Sequence, residues 1–483
     1  MSPCSRVAAL LTAAVLLPLA ASAQSLDISQ PPTLKSPAPL TFPRVQRARL
    51  PNGLQLFVVE QHEVPLVQLT LAVRGGGRED GDIAGMATFT ALMLQEGADT
   101  LDAFGIAAQA EYLGAQLSTE ADWDRSYVRI KVPRRTLAPA VGLLSLVTLK
   151  PTFRGTDLQR QRDLRFAGIR QSADEPDSVA TNAFNAVLYP AGHPYHQPLG
   201  GDSAATSRLD SALVRRFWQR VYRPNRAALI ITGDITLPTA RRLVAQAFGS
   251  WRPGADSGTG SPPGTVSPPA HTTLYLVDKP DAAQSVIVLG QPGVERKNPD
   301  FYALLVMNTI LGGSFSSRLN QNLRETKGYT YGAFSGFAYR PLPGPFRARA
   351  SVRTDVTDSS LVEFFREIKT MRDSPVTDVE LTRAKAYIAL GLPRRLETAE
   401  QLGDVVENLL LFGLPLDYYE GYLKHVMAIS SQDVQRVARK YLAPEQTSVV
   451  VVGDLKKIRP GIAALGLGPL QERGAWGQPK SGP

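Results

Sequence analysis

The sequence predicts an α+β fold made of two duplicated domains, each a β-sheet with helices packed on it. One pattern occurs twice in the chain: a Tyr and a Pro are followed by an apolar strand, first at 228–234 and again at 449–454. Each strand ends in a Gly-Asp pair, and the two pairs lie 220 residues apart. Each copy follows an amphipathic helical stretch, at 211–222 and 431–441. A period of this length indicates duplicated domains rather than a solenoid.

Composition places the domain boundaries. Residues 253–269 are dominated by Gly, Ser, Pro and Thr and contain little that could pack into a core. From N- to C-terminus, the predicted organisation is a signal peptide at 1–23, a flexible Pro- and Ser-rich lead-in at 24–42, a first domain at 43–251, a linker at 252–270, a second domain at 271–458 and a tail at 459–483.

The first residues predict export. Arg6 precedes an apolar run at 7–19 and the small residues 21–23, a pattern typical of a signal peptide cleaved after Ala23. This run is too short to span a bilayer as a helix, and no later stretch approaches the roughly 20 residues required. We therefore expect a soluble mature protein, located in the periplasm. Its only cysteine, Cys4, lies in the segment to be removed, so core burial rather than disulfides must stabilise the chain.

The basic residues are scattered, although the formal net charge is +9. Clusters such as Arg134-Arg135 are short, which argues against nucleic-acid binding. The balance weakly favours acidic peptides or an anionic surface as partners.

In the first domain, strands are expected at 54–59 and 67–73, followed by a break at three consecutive glycines. A helix should begin at Gly85 and end at Gly97, and a basic helical stretch follows at 157–172. The expected core face of the first helix consists of Met86, Phe89 and Met93.

The helix at 85–97 resembles the helix on which pitrilysin, insulinase and the mitochondrial processing peptidase carry an inverted zinc motif, H-x-x-E-H. The resemblance implies a pitrilysin-like α/β roll with mostly antiparallel sheets. The two histidine positions of the motif fall on Thr88 and Leu92, and the glutamate position falls on Ala91. Two histidines four residues apart share one helix face and can bind one zinc ion, whereas Thr, Ala and Leu cannot.

The third zinc ligand of the family is a glutamate further along the chain. At the family's spacing it would fall near Gly168 or Ile169, where this sequence has no carboxylate. The resemblance therefore implies a member of the family that binds no zinc itself.

The remaining histidines give weak signals for a metal site. His193 and His196 lie in a Pro- and Gly-bounded loop at 189–201, where a hydrogen-bonding role in a turn is the simpler interpretation. An unrecognised metal set of these two histidines with Asp202 stays open as an alternative. The isolated His62, His271 and His425 are expected in surface or turn positions.

The second domain contains a glycine-rich segment at 311–319 that leads into 323–331 and is similar to the family's second signature. In the family, an arginine and a tyrosine seven residues later extend over the zinc site from the facing half. Arg324 and Tyr331 have this spacing. Both side chains can donate hydrogen bonds to a carbonyl oxygen that gains negative charge.

The resemblance covers nearly the whole predicted mature chain and implies a heterodimer. A subunit with Arg324 and Tyr331 but no zinc would complete a site on a homologous partner that carries H-x-x-E-H and the zinc, with polypeptide bound between the two subunits. Two alternatives stay open. One is a purely structural subunit resembling the core proteins of the respiratory cytochrome bc complex, and the other is a self-sufficient metallopeptidase.

Overall fold

A computed structural model describes residues 42–255, 264 and 266–480 of the chain. The predicted signal peptide at 1–23 lies outside the described residues, as do the lead-in up to residue 41 and the middle of the predicted linker. In the described ranges, no helix has both the length and the apolar character that crossing a membrane requires.

The first half of the described chain alternates strands and helices. In chain order its elements are β1 (Gln46–Arg49), β2 (Gln55–Glu60), β3 (Leu66–Arg74), α1 (Met86–Met93), β4 (Gly97–Ala98), β5 (Leu101–Asp102), α2 (Ala103–Tyr112), β6 (Gln116–Ala121), β7 (Arg125–Pro133), α3 (Leu137–Leu149), α4 (Gly155–Asp174), α5 (Pro176–Leu188), α6 (Ser203–Arg208), α7 (Ser211–Val221), β8 (Ala227–Gly233) and α8 (Leu237–Phe248).

The second half repeats this arrangement with a longer helical segment before its last strands. Its elements are β9 (Thr273–Asp278), β10 (Gln284–Pro292), α9 (Phe301–Leu311), α10 (Arg318–Asn320), β11 (Thr330–Phe337), β12 (Pro345–Arg353), α11 (Thr357–Asp373), α12 (Asp378–Gly391), α13 (Ala399–Phe412), α14 (Tyr422–Ala428), α15 (Ser431–Tyr441), β13 (Ser448–Gly453), α16 (Leu455–Ala464) and β14 (Leu470–Arg473).

The two main sheets share one topology. The first has the order β1-β2-β8-β3-β7-β6 and the second the order β11-β12-β10-β13-β9-β14, so that β2, β8, β3, β7 and β6 correspond to β9, β13, β10, β12 and β11. The corresponding pairs β2–β8 and β9–β13 are both parallel, and all other pairs of the shared strands are antiparallel. The predicted α+β class with duplicated, mostly antiparallel sheets is confirmed.

The central strand β3 is buried on both of its faces. Val67, Leu69 and Leu71 point into the core of the first half, together with the helices behind them. On the opposite face, Gln68 and Thr70 are buried as well, because α13 of the second half covers this side of the sheet. The pattern matches that of a strand enclosed between two layers.

The two halves exchange one helix each. Helix α5 of the first half lies on the second sheet, where Phe184 shares a buried cluster with Val286 and Val450. Helix α13 of the second half lies on the first sheet, where Leu402 and Val406 pack in a cluster with strand residues of β2 and β8. Each such fully buried side chain contributes about 1.5–3 kcal/mol, so the exchange fastens the halves to each other.

The second half also extends beyond the expected boundary at 458. Helix α16 continues to Ala464, and β14 adds to the second sheet as a strand parallel to β9. Part of the segment expected as a tail at 459–483 is therefore an edge of this sheet. The other domain boundaries stay predictions.

Candidate functional site

The N-terminus of α1 is built around Asp80 and Gly85. Gly85 has a φ of 85°, and a Cβ atom at this position would lie 2.4 Å from the carbonyl oxygen of Gly200. The Asp80 carboxylate accepts hydrogen bonds from the backbone N–H groups of Gly85 (2.7 Å) and Ala87 (2.8 Å), two donors that the first helical turn leaves unpaired. Burial raises the pKa of Asp80 to about 7, against the opposing effect of these bonds and of Arg165.

Helix α1 presents the three positions of the inverted motif in different surroundings. The Thr88 hydroxyl donates to the carbonyl oxygen of Gly85 (2.9 Å), and Ala91 is fully buried. Leu92 lines a cavity of about 780 Å³ that is also lined by Gly168 and Ile169 of α4. The structure therefore brings Leu92 together with the two candidate positions of the third ligand. The predicted helix ends earlier than expected, at Met93, and a turn leads to the short strand β4.

Arg165 occupies the space between α1 and α4. It lies on α4 about one helical turn before the position expected for the third ligand. Its guanidinium donates to the carbonyl oxygens of Gly85 (2.9 Å) and Gly200 (3.1 Å) and to the hydroxyl of Thr88 (3.1 Å). It also lies over the ring of Phe89, 4.8 Å from the ring centre. A cation thus holds together α1, α4 and the loop that contains Gly200.

The residues at this position do not fit a zinc ion. Burial lowers the pKa of Arg165 to about 10, with Asp80 opposing the shift, so the guanidinium is protonated at neutral pH. A fixed positive charge bonded to Thr88 would repel a divalent cation, and neither Ala91 nor Leu92 offers a ligand atom. Among the described residues, no group of three or more His, Cys, Asp and Glu side chains is placed to hold a metal ion.

The loop histidines have local partners. His193 Nδ1 accepts from the backbone N–H of Tyr195 (3.1 Å), and its ring stacks on Tyr189 at a centroid distance of 4.5 Å. His196 Nδ1 donates to the carbonyl oxygen of Tyr189 (2.7 Å). Asp202 caps α6 by accepting from a backbone N–H. These contacts belong to turns and a helix cap.

The three isolated histidines also lie in separate places. His62 Nδ1 is 2.7 Å from a carboxylate oxygen of Asp234, and this hydrogen bond raises the pKa of His62. His425 donates to a backbone carbonyl one helical turn earlier and stacks on Tyr302. His271 is exposed.

Arg324 lies on an unusual stretch of backbone. Helix α10 continues into a π-helical turn at Gln321–Thr326. This conformation is rare in proteins as a whole, and where it occurs it is often found at functional sites. The guanidinium of Arg324 lies 4.4 Å from the centre of the Phe315 ring and 3.5 Å from the Glu325 carboxylate, with 34% of the side chain exposed. The side chain thus packs against the Phe315 ring and is accessible to solvent.

Tyr331 also lies at an irregularity, in the edge strand β11. Between Thr330 and Ala333 the pairing of β11 with β12 shifts register, so Tyr331 and Gly332 form a bulge. The hydroxyl of Thr330 stabilises the bulge by donating to the Ser351 carbonyl oxygen (2.7 Å) and accepting from the Gly332 N–H (3.1 Å). Bulges redirect side chains, and the Tyr331 side chain is 90% exposed.

A hydrogen-bond network joins the glycine-rich loop to both segments. Ser335 of β11 donates through its N–H to the carbonyl oxygen of Gly312 (3.0 Å) and through its hydroxyl to Asn308 (2.8 Å). Asn320, just before the π-helical turn, donates to the carbonyl oxygen of Phe315 (2.7 Å). The loop, the turn and β11 therefore form one unit that presents Arg324 and Tyr331. Neither residue lines the cavity at Leu92.

Sequence reasoning missed Arg165. The only available signal was an arginine in the basic helical stretch, one turn before the position where a ligand was sought. Arginines in a basic helix are usually solvated, so this signal was too weak to single out one side chain.

Two family models match consecutive parts of the chain. The model described as "Insulinase (Peptidase family M16)" matches residues 56–202, and the model described as "Peptidase M16 inactive domain" matches residues 208–388. Together they cover more than half of the chain.

Two relatives and two solved structures extend this similarity. The chain is 23% identical to the "Uncharacterized zinc protease YmxG" of Bacillus subtilis, over 84% of the chain and 98% of that protein. It is 21% identical to the "Non-peptidase homolog YmxG" of Helicobacter pylori, over 86% and 95%. A crystal structure of a peptidase M16 inactive domain from Pseudomonas fluorescens has a TM-score of 0.77 at 26% identity, over 85% and 98%. A chain of Complex III2 from Candida albicans shares the fold, with a TM-score of 0.72 at 14% identity over 87% and 99%.

Proposed function

Because the chain belongs to peptidase family M16 and lacks the family's zinc-binding residues, we propose that it is the zinc-free subunit of a two-subunit metallopeptidase. In this role it contributes Arg324 and Tyr331 to a site whose zinc is held by a homologous partner with H-x-x-E-H. The predicted signal peptide supports a periplasmic location for the complex.

The proposal rests on a contrast between the helix at the inverted zinc motif and the segment that contains Arg324 and Tyr331. At the first, Arg165 fills the region of the missing metal. In the second segment, Arg324 lies on a π-helical turn and Tyr331 lies on a β-bulge. The two backbone segments are joined by hydrogen bonds, and both side chains are accessible to solvent. Irregular backbone of this kind is costly and persists where it places a functional side chain.

The chemistry of the two side chains suits carbonyl recognition. A guanidinium stays charged at all relevant pH values, and a phenol is a neutral donor. Both can bond the carbonyl oxygen of a scissile peptide more strongly as it becomes negative, which lowers the barrier rather than only tightening binding. Substrate polypeptide would lie between the subunits as an added strand on a sheet edge.

The test is the activity of the reconstituted pair. We expect the chain to raise kcat/KM of the H-x-x-E-H homologue from the same genome on an unstructured peptide. Arg324→Gln and Tyr331→Phe should each remove on the order of 10²-fold of that gain through kcat, the typical loss when one donor to an oxyanion is removed. Binding of the partner, measured by analytical ultracentrifugation, should be unchanged.

Matched controls are Tyr387→Phe, an exposed tyrosine on α12, and Arg394→Gln, an exposed arginine. Both should leave the activity of the pair intact. Activation that survives Arg324→Gln and Tyr331→Phe would contradict the proposal and leave the structural-subunit alternative.

A further inference from the structure

The cavity at Leu92 carries an excess of positive charge. Among its described lining residues are four arginines, Arg165, Arg340, Arg347 and Arg349, and a single carboxylate, that of Asp177. Three of the arginines come from the second half of the chain, whereas Asp177 and Arg165 come from the first. The cavity is therefore a joint product of the two halves.

The alternation of β12 places two of these arginines. Phe346, Ala348 and Ala350 point into the core of the second half. Arg347 and Arg349 point to the opposite face of the sheet, the face on which α5 lies against neighbouring strands. Two guanidinium groups thus project beside the end of α5, where Asp177 is located.

Two of the four guanidinium groups already have bonding partners. Arg165 is bound to two carbonyl oxygens and the Thr88 hydroxyl, and Arg349 forms an ion pair with Asp177. Within the part of the chain that the structure describes, Arg340 and Arg347 have no carboxylate in ion-pair contact.

The surroundings of these two arginines favour a negative partner. The guanidinium of Arg340 lies over the rings of Tyr195 (4.2 Å) and Trp123 (5.5 Å), which contact the cation without neutralising it. Asp124 interacts electrostatically with Arg340, but this carboxylate is in ion-pair contact with Arg78. Burial, together with the charges of Arg340 and Arg349, lowers the pKa of Arg347. The cost of holding like charges together falls when an anion enters.

We propose that this cavity binds a short acidic segment of polypeptide, whose carboxylates pair with Arg340 and Arg347. Guanidinium groups match carboxylates in geometry as well as in charge. The remaining lining suits a peptide rather than a bare anion, because Asn182 and Asn185 offer amides to a backbone and Trp123 and Trp476 offer apolar surface. The cavity is open to solvent, and its volume of about 780 Å³ lies in the range of clefts that bind ligands.

This site needs no partner subunit and no zinc. It would be present in the isolated chain, so its test is independent of the activity of the reconstituted pair. A failure to activate a partner would leave the cavity proposal intact, and a failure to bind acidic peptide would leave the role of Arg324 and Tyr331 intact.

Fluorescence anisotropy with two labelled peptides tests the proposal on the purified chain. One peptide alternates glutamate with glycine over six residues, and the other replaces each glutamate with glutamine. We expect the glutamate peptide to bind at least tenfold more tightly. Arg347→Gln should weaken its binding about tenfold. Asp177→Asn should strengthen it, because the single lining carboxylate is removed.

The control is Arg353→Gln, which removes the same charge from the same face of β12 but at a residue that pairs with Asp355 outside this cavity. It should change the Kd less than twofold. Thermal melts check that each variant is folded. If Arg347→Gln does not fold, the Asp177→Asn variant, at an exposed position, still tests the proposal. Equal binding of both peptides, an equal loss in Arg353→Gln, weaker binding in Asp177→Asn, or binding of inorganic phosphate without binding of peptide would overturn the proposal.

Discussion

Arg165 links α4 to the start of α1 and to the loop that contains Gly200. Its guanidinium bonds the carbonyl oxygens of Gly85 and Gly200 and the hydroxyl of Thr88, and all three acceptors lie near the start of α1 or the loop beside it. Without this donor they would lose a charged hydrogen-bond partner in a partly buried place. The side chain therefore has a structural role that its position in a basic helix does not reveal.

Replacing Arg165 by methionine removes three hydrogen bonds to a charged group. It should destabilise the chain by at least about 2–3 kcal/mol, because one such bond contributes about 1.5–3 kcal/mol and its loss leaves an acceptor unpaired. Urea unfolding measures the change. Arg170→Met, at an exposed position of the same helix, is the matched control and should stay within about 0.5 kcal/mol of the parent. Equal stability of the two variants would contradict this role for Arg165.

The carboxylate of Asp300, at the start of α9, makes the chain sensitive to acid. Partial burial would raise the pKa of this carboxyl, but hydrogen bonds from Lys440, Arg436 and Tyr441 lower it to about 2. The unfolded value is near 3.8, so the unfolded chain takes up this proton first as the pH falls. The stabilisation is complete above about pH 5 and should be lost between about pH 4 and pH 2.

Unfolding free energies measured across this pH range test the prediction. Asp300→Asn should be less stable than the parent at pH 6, and the difference should shrink steadily toward pH 2. Wild type and variant losing stability in parallel would show that Asp300 does not contribute to acid sensitivity.

The backbone of the glycine-rich loop is in direct contact with the backbone of β11. A Cβ atom at Gly312 would lie 2.4 Å from the backbone nitrogen of Ser335 and equally close to its hydroxyl oxygen. The loop can therefore bond β11 only while residue 312 has no side chain. The position of Arg324 relative to Tyr331 depends on this contact, since the network through Asn308 and Asn320 includes both segments.

Gly312→Ala should thus push the loop away from β11. We expect a loss of about 1–3 kcal/mol, as for other overpacked sites, and a lower kcat of the reconstituted pair. Gly336→Ala on the same strand is the control, because a Cβ atom there meets no atom within 4 Å. Stability is checked by urea unfolding, and a Gly312→Ala chain that matches Gly336→Ala would refute the close-contact explanation.

The elements differ in how far the sequence predicted them. The strands at 54–59 and 67–73 and the helices at 211–222 and 431–441 agree with the structure to within a residue or so, because apolar periodicity and turn residues define them locally. The π-helical turn and the bulge at Tyr331 left no such signal, since both depend on contacts between segments. The sequence also did not reveal the cluster of arginines that lines the cavity. Arg340, Arg347 and Arg349 come close to Arg165 only when the two halves pack against each other.

At the scale of the whole molecule, the exchanged helices α5 and α13 make each sheet dependent on the other half. Each helix covers a strand face that would otherwise expose apolar side chains such as Phe57 and Val288 to water. Neither half can unfold without exposing part of the other's core. The described chain should therefore unfold as one unit, although its topology is that of two domains.

Leu402→Ala tests this coupling. Leu402 belongs to the second half but is fully buried against the first sheet, so the substitution should cost about 2–5 kcal/mol. Three of the four tryptophans lie in the first half, so fluorescence reports mainly on that half, whereas circular dichroism reports on both. We expect one coincident transition by both probes, shifted equally in the variant. Asn408→Ala, exposed on the same helix, should leave it in place, and two separated transitions would contradict the coupling.

As the proposed zinc-free subunit, this chain should hold no metal of its own and should complete the site of another subunit. The most direct measurement is zinc content by mass spectrometry together with peptide hydrolysis, for the isolated chain, for its H-x-x-E-H homologue and for an equimolar mixture. We expect no stoichiometric zinc and no hydrolysis in the isolated chain, one zinc per homologue, and hydrolysis that rises in the mixture. One zinc per isolated chain, or hydrolysis by the isolated chain, would contradict it.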